Sequence, residues 1–222
     1  MNNIYEVVDV VYAVNPSNCK GIDVSHWQGD INWNLVKNDG IYFSFIKATE
    51  GVDYEDPKFT KNLKEGKKAG VLVGGYHFCT PSSEGDALNE AKYFINVTNK
   101  NGGFRAFDLP PVIDIEKDNG LNREKISKIV RTWVEYVKKE TKVQPIIYSY
   151  KSFIKEYLDE SLFDIPLWLA HYDIKQAPGL LGWKSWLFWQ YTDKGHVNGI
   201  NGAVDLNLFH SNLKELHLLC SP

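Results

Sequence analysis

Residues 109–116 read Leu109-Pro110-Pro111-Val112-Ile113-Asp114-Ile115-Glu116. Leu109 to Ile115 is almost wholly apolar, as a central strand buried on both faces should be. Asp114 and Glu116 break that character at its end. Carboxylates there are costly unless paired, hydrogen-bonded or protonated. Strand side chains alternate, so the two point to one face with Cα atoms about 7 Å apart. That is the scale at which two carboxyls can flank one glycosidic bond. Like charges in a poorly solvated cleft raise one pKa. The expectation is a Glu116 protonated near neutral pH and an ionised Asp114. The bland alternative is a solvated strand end with two stray acids.

Outward from this stretch, short apolar runs alternate with helix-like segments, as in α/β folds. The other runs are 21–24, 41–48, 71–78, 145–150, 166–172, 186–191 and 204–208, making eight strands in all. Asp56-Pro57 reads as an N-cap with proline at N1, and Gly70 as the stop of that helix. Further helices are expected over 83–99, after Asn122, where Ile126, Ile129, Trp133 and Val137 form a stripe, and over 151–160. Segments 173–184 and 192–203 are rich in glycine and turns and hold no convincing helix. The expected fold is therefore an irregular TIM-like β/α barrel. It has eight strands and fewer than eight helices, with the last strands joined by loops.

Active sites of β/α barrels lie at the C-terminal ends of the strands. Besides Asp114 and Glu116, that rule selects Asp23 after the first run and Asp205 in the last. First and last strands of a closed barrel are neighbours, so four acids would ring one pocket. With no basic ligand or cofactor motif nearby, a sugar explains them better than a phosphate. A divalent cation is the competing account, but no loop has the dense Asp/Asn spacing of a calcium site. No metal and no cofactor is assigned. His77 and His171 sit beside aromatics and read as satisfied core histidines.

The chain has 222 residues, 43% of them hydrophobic, which suits one domain built around one core. The net charge is −3 and the basic residues are interleaved with acids, which excludes a nucleic-acid partner. Aromatics reach 14%, a level that fits either an aromatic core or a carbohydrate site. Three cysteines (Cys19, Cys79 and Cys220) make a poor disulfide framework and read as buried thiols. No run is apolar enough for membrane insertion. No signal peptide is read at the start, which leans towards phage-type endolysin release or a trimmed secreted protein. Oligomeric state is not legible.

Asp23-Val24-Ser25-His26-Trp27-Gln28-Gly29 resembles the opening motif of glycoside hydrolase family 25. Phe45-Ile46-Lys47-Ala48-Thr49-Glu50-Gly51, Gly74-Gly75-Tyr76-His77-Phe78, Pro111 to Glu116, Pro166 to Ala170 and Trp189-Gln190-Tyr191 resemble its later blocks, in order. The resemblance covers about residues 20–209. It implies a muramidase, or lysozyme, that cleaves the β-1,4 bond between N-acetylmuramic acid and N-acetylglucosamine in cell-wall peptidoglycan. It implies Glu116 as general acid/base and Asp114 as the group assisting the substrate's acetamido, with direct attack by Asp114 left open. Asp23 and Asp205 match the other acidic positions. Tyr76, Tyr148, Trp168, Tyr172 and Gln190 are the candidate sugar contacts. Residues 1–19 fall outside the pattern as an extension of unknown role, and 20–222 form the single catalytic barrel. A chitinase-like hydrolase is the first alternative, disfavoured because its motif carries an aspartate where Val112 stands. The second is a non-catalytic wall-binding module, disfavoured because Glu116 and all three aspartates are present.

Overall fold

The computed structural model describes residues 18–80, 82–172, 179 and 181–219. The strands are β1 (Lys20–Val24), β2 (Phe43–Glu50), β3 (Tyr54–Glu55), β4 (Leu72–Cys79), β5 (Val112–Ile115), β6 (Ile146–Tyr150), β7 (Leu167–Ala170), β8 (Phe188–Gly195) and β9 (Val204–Phe209). The helices are α1 (Trp33–Asn38), α2 (Phe59–Lys68), α3 (Glu84–Lys100), α4 (Arg123–Thr141), α5 (Lys151–Tyr157) and α6 (Leu213–Leu219). Strand order is β1-β9-β8-β7-β6-β5-β4-β2, and pairing of β1 with β2 closes eight strands into a barrel. The two-residue β3 lies antiparallel on the end of β2. All eight expected strands are present.

Up to β8 every pairing between barrel neighbours is parallel. The last strand, β9, runs antiparallel to both β8 and β1. A parallel partner needs a long crossover, whereas an antiparallel one needs only a short return. The turn-rich segment after β8 supplies that return, as the sequence indicated. The reversal puts the beginning of β9, with Asp205, beside Asp23 near the end of β1.

Alternation along the strands sorts the core in two. Inward files include Phe43 and Phe45, Val112, Ile146, Trp168, Phe188 and Phe209, which fill the barrel as one buried cluster. Phe45 stacks on Trp168 with ring centroids 4.5 Å apart and meets Phe188 edge-on. These rings need space, and Gly21 and Gly74 leave it. A Cβ on Gly21 would fall 2.3 Å from the Phe43 ring, and one on Gly74 would fall 2.9 Å from Phe45. Outward files such as Ile46, Ile113, Ile147 and Leu169 pack under the helices in the larger cluster.

α4 shows why those helices form where they do. Asn122 caps its first turn by accepting from the Lys125 amide. Ile126, Ile129, Trp133 and Val137 are buried along one stripe. Ser83 caps α3 in the same way, and Ala87 and Ala91 are buried within it. The start of α2 differs from the sequence expectation. Its N-cap is Lys58, not Asp56, and no side chain caps it. One oxygen of Asp56 receives the Lys58 amide, while the other receives the His26 amide across the chain. Gly70, at φ +80°, ends the helix as expected. α1, α6 and β3 were not foreseen, being too short to carry a periodic signal.

Cys19 and Cys79 are buried free thiols; Cys220 lies outside the described residues, as does the extension up to residue 17. Among the described residues no helix is long and apolar enough to cross a membrane.

Candidate active site

The inward files continue above the aromatic filling, and there they turn polar. Gly21 is followed by Asp23, Phe45 by Lys47, Val112 by Asp114, Ile146 by Tyr148 and Phe188 by Gln190. On the reversed β9 the same file reads Phe209, Asn207, Asp205 towards the mouth. A cavity of about 270 Å³ opens over this layer. Asp23, Asp114, Glu116, Asp205, Tyr76, Tyr148, Trp168, Tyr172 and Gln190 all line it, together with Ser25, Trp27, Lys47 and Phe78. The structure thus gathers all nine residues selected from sequence around one hollow.

Their roles within it differ. Asp23 Oδ2 accepts from Gln190 Nε2 at 2.8 Å and from Asn207 Nδ2 at 2.7 Å. Gln190 Oε1 accepts from the Tyr148 hydroxyl at 2.8 Å and the Tyr172 hydroxyl at 2.5 Å. Trp168 Nε1 donates to Asn207 Oδ1 at 2.8 Å. Gln190 and Trp168 are each 2% exposed, and their polar atoms are already engaged inside the protein. Gln190 orients Asp23 directly, and Trp168 holds Asn207, which bonds Asp23 in turn. Asn207, fully buried, was missed by the sequence reading. Its signal was its place two residues after Asp205, on the same face of a strand.

The acids are set at different depths. Asp114 lies within β5 and is buried, and its Oδ1 has no hydrogen-bond partner. Burial, then the charges of Glu116 and Asp23, push its pKa well above the carboxylate range. Glu116 sits just past the strand end and is only half-buried. Burial raises it too, opposed by the Tyr148 hydroxyl. Both carboxyls of the pair are thus pushed upward by their surroundings. Alternation put both carboxyls on one face but could not say which is deeper and barer.

Burial and the neighbouring Asp23 raise Asp205 to about 8. Asp23 is raised by burial, against the amides of Asn207 and Gln190. An unfolded aspartate ionises near 4, so between about pH 4 and 8 the folded chain holds a proton the unfolded chain has lost. Stability then falls as pH rises through that window. Asp205→Asn removes the titration and should flatten the fall of the thermal midpoint across it. A variant slope as steep as the wild type's would assign the titration to another group.

The rim carries features the sequence reading passed over. Trp27 is 81% exposed and sits in a single 3-10 turn, His26–Gln28, just beyond β1. Its ring lies 4.5 Å from that of His26. His26 Nδ1 is 2.8 Å from Asp56 Oδ2 and 3.2 Å from the Tyr54 hydroxyl. The position of Trp27 just beyond a barrel strand was the available signal. Lys47 Nζ is 2.6 Å from Glu50 and lies over the Phe78 ring.

His77 is a satisfied core histidine, with Nδ1 at 2.8 Å from Thr49 Oγ1 and Nε2 at 2.7 Å from Glu90. His171 is not: it is half-buried, and its Nδ1 has no partner. The lone apolar-neighbour signal did not show that β7 ends before it. His77, Cys79 and Glu90 have their ligand atoms within 4.8 Å of one another, the chemistry of a metal site. Both ring nitrogens of His77 are already bonded, so the cluster is satisfied by its own hydrogen bonds.

Comparison with known proteins gives a consistent result. The sequence profile of glycosyl hydrolases family 25 matches residues 22–200. Lysozyme M1 of Streptomyces globisporus is 37% identical over 217 residues, spanning 92% of this chain and 72% of that protein. N,O-diacetylmuramidase of Chalaropsis sp is 29% identical over 218 residues, spanning 89% of this chain and 98% of its own length. The crystal structure of the bacterial lysozyme from Streptomyces coelicolor aligns with a TM-score of 0.83 at 34% identity, covering 92% of this chain and 98% of that one.

Proposed function

The chain belongs to glycosyl hydrolases family 25 and is a peptidoglycan muramidase, and we propose that Glu116 is its general acid/base, with Asp114 assisting the acetamido group of the substrate. The bond cleaved is the β-1,4 linkage between N-acetylmuramic acid and N-acetylglucosamine. The observation that carries this reading is the stacking of the two acids. Asp114 is buried with an unpartnered Oδ1, and Glu116 stands above it at the mouth of the same cavity.

That arrangement fits a neighbouring-group reaction. The acetamido N–H of the bound sugar donates to Asp114, which stabilises the ionised form of that carboxyl. The proton of the pair then resides on Glu116. Glu116 gives it to the glycosidic oxygen as the C1–O bond breaks. The acetamido carbonyl oxygen bonds to C1 and the N–H proton is held by Asp114. The Glu116 carboxylate next takes a proton from water, whose oxygen attacks C1 and reopens the ring, with overall retention. Asp23 and Asp205 form the acidic side wall, held in place by Asn207 and Gln190. Tyr76, Tyr148 and Tyr172 offer ring surface to the sugar.

The test is the identity of the new ends. Purified peptidoglycan digested by the protein should gain reducing ends that carry muramic acid. Glucosamine at those ends would assign the other linkage. Binding to walls without release of ends would leave only a wall-binding module.

A further inference from the structure

A second hollow adjoins the cleft. It is about 390 Å³ and its walls include Tyr150, Lys151, Lys155, His171 and Tyr172. Tyr172 also lines the cleft, so the two hollows meet across one ring. Tyr150 is 38% exposed, and its hydroxyl reaches the Glu116 carbonyl at 3.5 Å. The second hollow therefore begins beside the strand end that carries the general acid.

Its chemistry is opposite to that of the cleft. The cleft gathers four carboxyl groups. Among the described residues the second hollow is lined by two lysines and no acid. Lys151 and Lys155 are four residues apart on α5 and so share a helix face. Among the described residues neither has an ion-pair partner. Lys151 is close enough to His171 for its charge to act on the ring. His171 Nδ1 is buried with no hydrogen bond. Among the described residues, two unpaired cations and the His171 ring thus border an aromatic-walled hollow beside the cleft.

The glycan of peptidoglycan is uncharged along its backbone. Its muramic residues carry peptide branches that bear carboxylates. Such a branch is repelled by the acid-rich cleft and attracted by the lysines. We propose that this second hollow receives a carboxylate of the peptide branch on a muramic residue of the bound strand. The assignment deepens the muramidase reading and rests on it. Lys151 and Lys155 bind the branch and take no part in bond cleavage, so their contribution falls on KM.

The test uses the double variant Lys151→Glu/Lys155→Glu and two soluble substrates. One is glycan fragments with their peptides, freed of phosphate polymers. The other is the same fragments with the carboxylates of their peptides converted to neutral methyl amides. On the carboxylate-bearing fragments KM should rise roughly tenfold with kcat unchanged, as expected for the loss of two solvent-accessible ion pairs and their reversal. On the amidated fragments both constants should match the wild type, which also shows that the variant is folded. An equal change on both substrates, or none on either, overturns the proposal. A change seen only with walls that keep their phosphate polymers also overturns it, and assigns the lysines to phosphate. Wild-type protein that yields no muramic ends from either substrate would instead sink the muramidase reading.

Discussion

Glu116→Gln should lower reducing-end release from peptidoglycan by about 10²–10⁴-fold, the loss typical of a general acid. Glutamine keeps the shape of the side chain and cannot give a proton to the leaving oxygen. Glu116 is only half-buried and stands past the end of β5, so the fold should persist. The control is the thermal midpoint, which should be unchanged or slightly higher, since burial disfavours the charged group. An active, folded variant would move the acid elsewhere in the cleft. Asp114 would be first in line, because burial raises its pKa as well.

Trp168→Ala should cost about 3–5 kcal/mol of stability, the range for deleting a large buried aromatic side chain. Trp168 is 2% exposed, stacks on Phe45 and meets Tyr148 edge-on at 4.6 Å. Its loss also frees Asn207 Oδ1, leaving a buried acceptor unsatisfied. Asn207 in turn orients Asp23. Chemical denaturation reads the first effect, and activity of the still-folded fraction reads the second. Trp168→Phe keeps much of the packing and removes only the donor. A destabilisation of Trp168→Ala well under 2 kcal/mol would show that the barrel interior can collapse around the gap.

The barrel was legible because eight apolar runs recur at spacings that leave room for helices, and because a parallel sheet buried on both faces must be built from such runs. The ring of acids followed from one rule about strand ends and from the adjacency of first and last strands. What stayed hidden depends on depth or on partners distant in sequence. Alternation puts Asp114 and Glu116 on one face, yet only the folded chain shows Asp114 bare and enclosed. Asp56 has the local look of a helix cap, but its carboxylate is drawn to His26, thirty residues earlier. Trp27 and Asn207 give no periodic signal, since one is on a single 3-10 turn and the other is a polar residue inside a strand. His171 reads like His77 from its neighbours, and only the early end of β7 separates them.

The reversed last strand has a consequence for when the enzyme becomes competent. The hydrogen bonds that orient Asp23 come from Gln190 and Asn207, separated from it by 167 and 184 positions along the chain. Contacts so distant in sequence are slow to form, since loop closure must precede them. A chain emerging from the ribosome can build its parallel βα units early. Its first strand then waits, one edge unpaired, until the final hairpin arrives to seal it. Arrival of β9 and acquisition of an oriented acid thus coincide, and a nascent chain lacking β9 carries Glu116 without the wall that faces it.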